Sequence, residues 1–198
     1  PADAVAFHES VEKEVVPVMD RLAKERKTAL GVASLRPWDL AVDPLGRAPL
    51  RPFDSPDELA DLAISVFEEL DPYFADCLRE MRTMGRLDLG SRDGKAPGGY
   101  NYPLYETGPP FIFMNAVGTT SDVITMVHEG GHAVHSFLTH PLPITGFKNF
   151  PSEVAELASM SMELLTMEHW HLIYTDPEEL RRAKRDQLER VLSILPWV

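Results

Sequence analysis

The chain has 198 residues, 44% of them hydrophobic and 25% charged, which is typical of a globular protein of one domain or slightly more. Its 31 acidic and 19 basic residues give a formal net charge of −12. This charge disfavours nucleic-acid binding and docking on anionic membranes, since both need a basic surface. A single cysteine, Cys77, allows no internal disulfide, and no apolar run reaches the ~20 residues of a membrane span. We therefore expect a cytoplasmic protein with no nucleic-acid or membrane partner.

The first fifty residues are expected to form one long helix followed by a loop. Apolar residues recur at steps of three and four over residues 3–30, which predicts an amphipathic helix. Pro17 is expected to kink this helix, and Gly31 is expected to end it. Residues 34–54 are rich in proline and predict an extended connection.

A second helical region and a small sheet are expected next. The run Ser55-Pro56-Asp57-Glu58 is typical of a helix start, with a capping serine, proline at the first position and glutamate three after the cap. This helix should break at Asp71-Pro72 and resume as far as Gly85. Glycines and prolines over residues 85–110 predict turns and a hairpin, and residues 111–117 predict a short buried strand.

Three helix starts are expected in the last eighty residues. A capping pattern at 119–122 predicts a helix that continues to about Thr139. Ser152 is expected to cap a second helix over 153–174, and Asp176-Pro177-Glu178 to start a last one. Five or six helices with one or two short strands make the expected fold mainly α with a small β-sheet or hairpin.

The run from His128 to His132 reads H-E-x-x-H and lies within the first of these helices. Four residues make slightly more than one helical turn, so the two imidazoles leave the same face and can bind one Zn²⁺. Glu129 lies beside them, where its carboxylate can take a proton from a water that the ion activates. The pattern therefore predicts a zinc site with Glu129 as a general base.

His135 continues the same stripe but is not expected to be the third zinc ligand. At 1.5 Å per residue it lies ~4.5 Å further along the helix axis from His132 and recedes from an ion held by the first pair. The longer metal-binding pattern also requires glycine at position 135 and histidine at position 138, where this chain has His135 and Leu138. We expect His135 to support the site without touching the ion.

The better third ligand is Glu156 on the following helix. An antiparallel helix after a loop of about a dozen residues can place this carboxylate opposite the two histidines, and a catalytic zinc needs three protein ligands. Ser159 and Glu163 share the face of Glu156 and are expected to hold the ligands by hydrogen bonds. Glu153, the other acid at this helix start, is interpreted as a solvated first-turn residue.

These residues resemble the thimet oligopeptidase and oligoendopeptidase F family of zinc peptidases, and the oligoendopeptidase F branch most. The resemblance extends over about residues 94–164. It includes a glycine-and-tyrosine loop, a strand, the helix with H-E-x-x-H and the helix with the third ligand. The segments concerned are Gly94–Tyr100, Pro110–Asn115, Asp122–Thr125, His132–Ser136 and Ala155–Ser159 with Glu163.

The resemblance implies a helical, zincin-like catalytic segment that binds one zinc ion through His128, His132 and Glu156, with Glu129 as base. It also implies a zinc endopeptidase that hydrolyses oligopeptides in a channel, and a strand at 111–117 that offers its edge to the peptide backbone. Residues 1–90 would lead into a catalytic core at 91–198.

Two features depart from the family pattern. Gly130 replaces a bulky residue, and Gly130 and Gly131 together cost the helix roughly 1 kcal/mol each relative to alanine. The family's downstream tyrosine and histidine, which bind substrate, lie beyond residue 198, and Trp197 and Val198 end the sequence on apolar side chains. We therefore expect a segment whose partner is the remainder of its own longer chain and which is weak or inactive alone.

Two other hypotheses remain open at this stage. The chain could be a zinc-binding pseudopeptidase or binding module without turnover, or a helical scaffold that binds no metal. Metal content separates the scaffold from the other two, and peptide turnover with a Glu129→Gln control separates enzyme from module. Cys77 is interpreted as a packing residue and not as a nucleophile.

Overall fold

The computed structural model describes residues 2–196. Pro1 and the apolar pair Trp197-Val198, noted above as an end of the sequence, lie outside this range. The described residues fall into two compact units, one of residues 2–49 with 182–196 and one of residues 50–181. The division of the chain at residue 90, made above from the resemblance, stays a prediction.

The smaller unit begins with a nearly continuous helical segment. It consists of α1 (Ala2–Ser10), a π-helical turn (Val11–Val15) and α2 (Val16–Leu30). The hydrogen-bond pattern thus changes just before Pro17, which has no N–H to donate. Gly31 ends α2 as expected, because its φ of 66° is the left-handed conformation that lets its N–H reach the last carbonyls.

The long proline-rich connection contains only a short 3₁₀ turn (Pro37–Leu40), as its composition predicted. Side chains of the smaller unit hold it in place. The guanidinium of Arg26 donates to the carbonyl oxygens of Asp39 at 3.1 Å and Val42 at 3.0 Å. Arg182 donates to the carbonyl oxygen of Ala48 at 2.7 Å. Arginine, with five donors in a planar fork, can satisfy several loop carbonyls at once.

The larger unit begins with two helices whose starts were read correctly from the sequence. In α3 (Pro56–Leu70) the hydroxyl of Ser55 accepts from the N–H of Glu58 at 3.1 Å. In α4 (Pro72–Thr83) the carboxylate of Asp71 accepts from the N–H of Tyr73 at 2.9 Å. Asp71-Pro72 therefore both ends one helix and caps the next, since proline cannot continue the first.

Three strands form one sheet: β1 (Leu87–Gly90), β2 (Tyr100–Leu104) and β3 (Gly108–Ala116). The hairpin prediction is confirmed, because β2 pairs antiparallel with β3, while β1 pairs parallel with β3 on the other side. The expectation that the strand at 111–117 offers its own edge is wrong. β3 is the central strand, so the outer edges of this sheet belong to β1 and β2.

The remaining helices are α5 (Thr120–Thr139), α6 (Ser152–Thr166) and α7 (Pro177–Ile194). The capping pattern at Thr119 is confirmed, since the carboxylate of Asp122 accepts from the N–H of Thr119 at 2.8 Å. The helix predicted over 153–174 was too long, because α-helical geometry ends at Thr166 and 3₁₀ turns follow over Met167–Leu172. Ser152 is the first residue of α6 and not its cap.

The fold class is confirmed as mainly α with a small sheet. In the larger unit the apolar face of β3 and the inner faces of α3, α4 and α5 supply the core, which excludes water almost completely. The core side chains from these elements include Leu59, Phe67, Leu78, Met81, Ile112, Met114, Val123 and Val127. This core fixes α5, and with it the H-E-x-x-H run.

Candidate metal centre

A glycine lets α5 and α6 approach each other closely at the site. A Cβ atom at Gly131 would lie 2.8 Å from Cα of Ser159 and 2.9 Å from the carbonyl oxygen of Ala158. Any larger residue would collide with the backbone of α6. The absence of a side chain at this point brings the polar faces of the two helices within reach of each other.

Three side chains that the sequence singled out converge between these helices. Nε2 of His128 lies 3.4 Å from Oε2 of Glu156, and Nε2 of His132 lies 3.7 Å from Oε1 of the same carboxylate. One ligand atom from each residue lies within 4.8 Å of the other two. Two imidazole nitrogens and a carboxylate oxygen at these separations are a donor set that fits a divalent cation such as zinc.

A buried carboxylate orients the first histidine. Nδ1 of His128 lies 2.6 Å from Oε1 of Glu163, whose side chain is almost fully buried. In the neutral ring, a proton on Nδ1 satisfies this contact and leaves the lone pair of Nε2 facing Glu156. Burial by itself lowers the pKa of His128, but the hydrogen bond to Glu163 and the neighbouring carboxylates outweigh it, so the pKa is raised.

The second histidine is in a different electrostatic setting. Burial lowers the pKa of His132, and the nearby charge of His128 lowers it further. The T-shaped arrangement of the two rings, with centroids 4.9 Å apart, places them on one face of α5 as the spacing predicted. The neutral form favoured at His132 is the form in which imidazole binds a metal.

Glu129 is buried beside the three candidate ligands, with 6% of its surface exposed. Burial raises the pKa of this carboxyl group, and a hydrogen bond from the backbone N–H of Asn101 partly opposes the shift. Asn101 lies in β2, one of the two outer strands of the sheet. Sequence reasoning missed this contact, because no local pattern shows which strand will lie beside the helix that carries H-E-x-x-H.

His135 is not among the three residues whose ligand atoms converge, and its supporting role stays a prediction. Its ring stacks on Phe150 with centroids 4.0 Å apart, just before the start of α6. Burial lowers the pKa of His135, which favours an uncharged ring against this aromatic partner. Glu153 is exposed in the first turn of α6, in agreement with its interpretation as a solvated acid.

The unusual Gly130 is explained by a residue far from it in sequence. A Cβ atom at this position would lie 2.7 Å from Cζ of Phe67, a fully buried ring of α3. Phe67 thus fills the space next to α5 at this position. The sequence showed the departure from the family pattern, and only the packing shows which side chain accompanies it.

A lysine with a buried side chain holds the glycine loop at residues 94–100 against the sheet, and the sequence did not predict this contact. The side chain of Lys95 is 1% exposed, and its ammonium group donates to Asp88 at 3.0 Å, to the carbonyl oxygen of Gly90 at 2.8 Å and to that of Met114. The side-chain amide of Asn115 donates to the carbonyl oxygen of Gly98 at 2.9 Å. These bonds hold the loop against the sheet that carries Asn101.

The model of peptidase family M3 matches residues 1–195. The chain belongs to this family. It is 29% identical over 154 residues to oligopeptidase PepF of Bacillus subtilis strain 168, an alignment that covers 78% of this chain and 22% of that protein. It is 27% identical over 186 residues to an oligoendopeptidase F homolog of Lactococcus lactis subsp. lactis strain IL1403, covering 92% of this chain and 28% of that protein. The resemblance drawn from the motifs is therefore confirmed.

Solved structures agree on the fold. PZ peptidase A with an inhibitor superimposes with a TM-score of 0.88 at 30% identity, covering 98% of this chain and 34% of that one. A protein assigned as an oligoendopeptidase F in Bacillus anthracis strain Ames gives a TM-score of 0.90 at 26% identity, covering 100% and 36%. The chain thus spans between 22% and 36% of the length of these relatives. Among residues 2–196, no helix has the length and apolar character that crossing a membrane requires.

Proposed function

We propose that this chain is the zinc-binding catalytic segment of an endopeptidase that hydrolyses oligopeptides. The observation that carries the proposal is the convergence of His128, His132 and Glu156, with ligand atoms within 4.8 Å of one another, next to the buried carboxylate of Glu129. Two histidines and a glutamate leave one coordination position of a tetrahedral zinc for water or substrate. Membership of peptidase family M3 and the oligopeptidase names of its relatives support the same conclusion.

His128, His132 and Glu156 would hold the ion. When bound, zinc supplies Lewis acidity, which lowers the pKa of a water molecule and polarises the carbonyl of the bond to be cut. Glu129 accepts the proton of the attacking water and later delivers it to the leaving amine. Its environment suits both steps, because burial raises its pKa towards the range in which a carboxylate can take and return a proton.

Two neighbours hold these groups in position. Glu163 accepts a hydrogen bond from the Nδ1–H group of His128, which leaves the lone pair of Nε2 for the ion. The hydrogen bond from the N–H of Asn101 to the carboxylate of Glu129 favours the charged form of this base. In the proposed reaction, α5 and α6 therefore supply the metal ligands, and β2 supplies the N–H group that contacts the base.

A zinc-binding module without turnover is the second candidate. The chain spans only 22% and 28% of two oligopeptidase relatives, so hydrolysis by this chain is part of the proposal, and zinc binding without turnover is the outcome that would contradict it. For the whole protein, we propose peptide substrates and a cytoplasmic location. The proposed partner of this chain is the remainder of its own longer chain.

The proposal is tested by zinc content and peptide hydrolysis of the purified chain and of three variants. Glu129→Gln should retain zinc and lose hydrolysis, whereas His132→Ala should lose zinc. Glu153→Gln is the matched control, because it removes an exposed carboxylate of α6 and should change neither property. The module would be favoured if the chain binds zinc but hydrolyses no peptide, even when it is joined to the rest of a full-length peptidase. Failure to bind zinc would overturn both candidates.

A further inference from the structure

The side chain of Ser159 makes a contact that the proposed reaction does not yet use. Ser159 lies one helical turn after Glu156 on α6, and none of its surface is exposed. Its hydroxyl oxygen lies 2.8 Å from Oε2 of Glu156 and 3.2 Å from the backbone carbonyl oxygen of the same residue. A hydroxyl has one proton, so the two oxygens compete for it.

The carboxylate is the better acceptor of the two. It is closer, it carries a negative charge, and hydrogen bonds to charged oxygens are roughly twice as strong as those between neutral groups. The carbonyl oxygen of Glu156 lies within α6, where the helix's own N–H groups are available as donors. The hydroxyl of Ser159 is therefore directed at the side chain of Glu156 and not at the helix backbone.

The carboxylate of Glu156 faces the two histidine rings, and Ser159 adds a hydrogen bond from within α6. Its side chain is 42% exposed, in contrast to the 7% of Glu163, and the charges of Glu129 and Glu163 lie nearby. The like charge of Glu129 and the many rotamers of a half-buried glutamate both favour its turning into solvent. The hydroxyl of Ser159 opposes this tendency, because it donates a hydrogen bond to the Glu156 carboxylate without adding a charge.

We propose that Ser159 is a positioning residue that holds the carboxylate of Glu156 towards His128 and His132 before the metal binds. The inference deepens the proposed function, since it rests on Glu156 as a metal ligand. Gly131 makes the arrangement possible, because its missing side chain leaves room for the backbone of Ser159 at the point where α5 and α6 are closest. The close approach and the hydrogen bond thus act together on one ligand.

The test is the zinc affinity of the metal-free chain, measured by competition with a chelating dye. Ser159→Ala removes the hydroxyl without adding volume, and we expect it to weaken zinc binding 10- to 100-fold, as loss of a ligand's hydrogen-bond partner typically does. Thr166→Val is the matched control. It removes the hydroxyl of another fully buried residue of α6 and should leave zinc affinity unchanged. The oxygen of this hydroxyl lies 3.2 Å from the backbone carbonyl oxygen of Glu163.

A double-mutant cycle separates positioning from a general structural effect. If Ser159 acts through Glu156, Ser159→Ala should cause no further loss of zinc affinity in a Glu156→Ala background. The visible absorption of the Co²⁺-loaded chain, which depends on coordination geometry, should change in Ser159→Ala and stay the same in Thr166→Val.

The outcomes are distinguishable. Two results would overturn this inference and leave the proposed zinc site intact, provided that the parent chain binds zinc. The first is an unchanged zinc affinity in Ser159→Ala. The second is that Ser159→Ala lowers zinc affinity as much in the Glu156→Ala background as in the parent chain. A parent chain that binds no zinc overturns the proposed function and this inference together.

Discussion

Replacing Gly131 by alanine should destabilise the protein, although helix propensity alone predicts the opposite sign. In an exposed helix, glycine to alanine stabilises by about 1 kcal/mol. Here the new methyl group would lie 2.8 Å from Cα of Ser159 and 2.9 Å from the carbonyl oxygen of Ala158. These are backbone atoms, which cannot yield without moving α6, so overpacking should cost about 3 kcal/mol, near the upper end of its usual range. We expect a net loss of about 2 kcal/mol.

The assay is urea and thermal unfolding of the metal-free chain, combined with zinc titration. A loss of about 2 kcal/mol corresponds to a decrease of roughly 4–8 °C in the melting temperature of a protein of this size. Because the substitution pushes α6 away from α5, it should also weaken zinc binding by moving Glu156 away from the two histidines. The stability and the metal site should therefore be affected together.

Gly130→Ala is the control that separates the two effects. Its new methyl group would meet Cζ of Phe67 at 2.7 Å, which is a side-chain atom of α3 and not part of α6. We expect lower stability with zinc affinity close to that of the parent chain, and partial recovery of stability when Phe67→Leu is added. A gain of about 1 kcal/mol in Gly131→Ala, as helix propensity alone predicts, would refute the close approach of the two helices.

Two further predictions concern groups with shifted pKa values. Cys77 should not react with iodoacetamide near neutral pH until the protein is unfolded, because burial raises the pKa of its thiol to about 11; rapid labelling of the native chain, detected by mass spectrometry, would contradict this. Asp88 has its pKa lowered from 3.8 to about 2, chiefly by its hydrogen bond from Arg92, so the stability it contributes is present above pH 3.8 and is lost as the pH falls towards 2. Asp88→Asn should show less loss of stability in this window, and equal slopes for the two proteins in acid-unfolding measurements would be evidence against the assignment.

Most helix starts were readable from the sequence because capping is a local interaction. Ser55, Asp71 and Thr119 each satisfy N–H groups two or three residues away, and the same short spacing is visible in the sequence. The end of α6 was not readable. Nothing local at Thr166 marks the change to 3₁₀ geometry, and these turns, in which Trp170 is completely buried, pack against α3, which is distant in sequence.

The sheet was only partly predictable for the same reason. The hairpin of β2 and β3 is a local unit, whereas the pairing of β1 with β3 joins Leu87 to Ile112 across twenty-five positions. A strand of four residues has too short an alternation to be recognised, and its parallel partner is chosen by packing. The central position of β3, which contradicted the sequence-based expectation, follows from this pairing.

By itself the sequence determined the spacing of His128 and His132 on one helical face and the place of Glu129 beside them, because 3.6 residues per turn fixes such relations within a helix. Tertiary structure alone decided that Glu156 meets them, that the N–H of Asn101 reaches Glu129, and that Phe67 lies against Gly130. These relations join residues 24 to 63 positions apart. They depend on how closely helices pack and on which strand of the sheet lies beside α5, and no local pattern encodes either property.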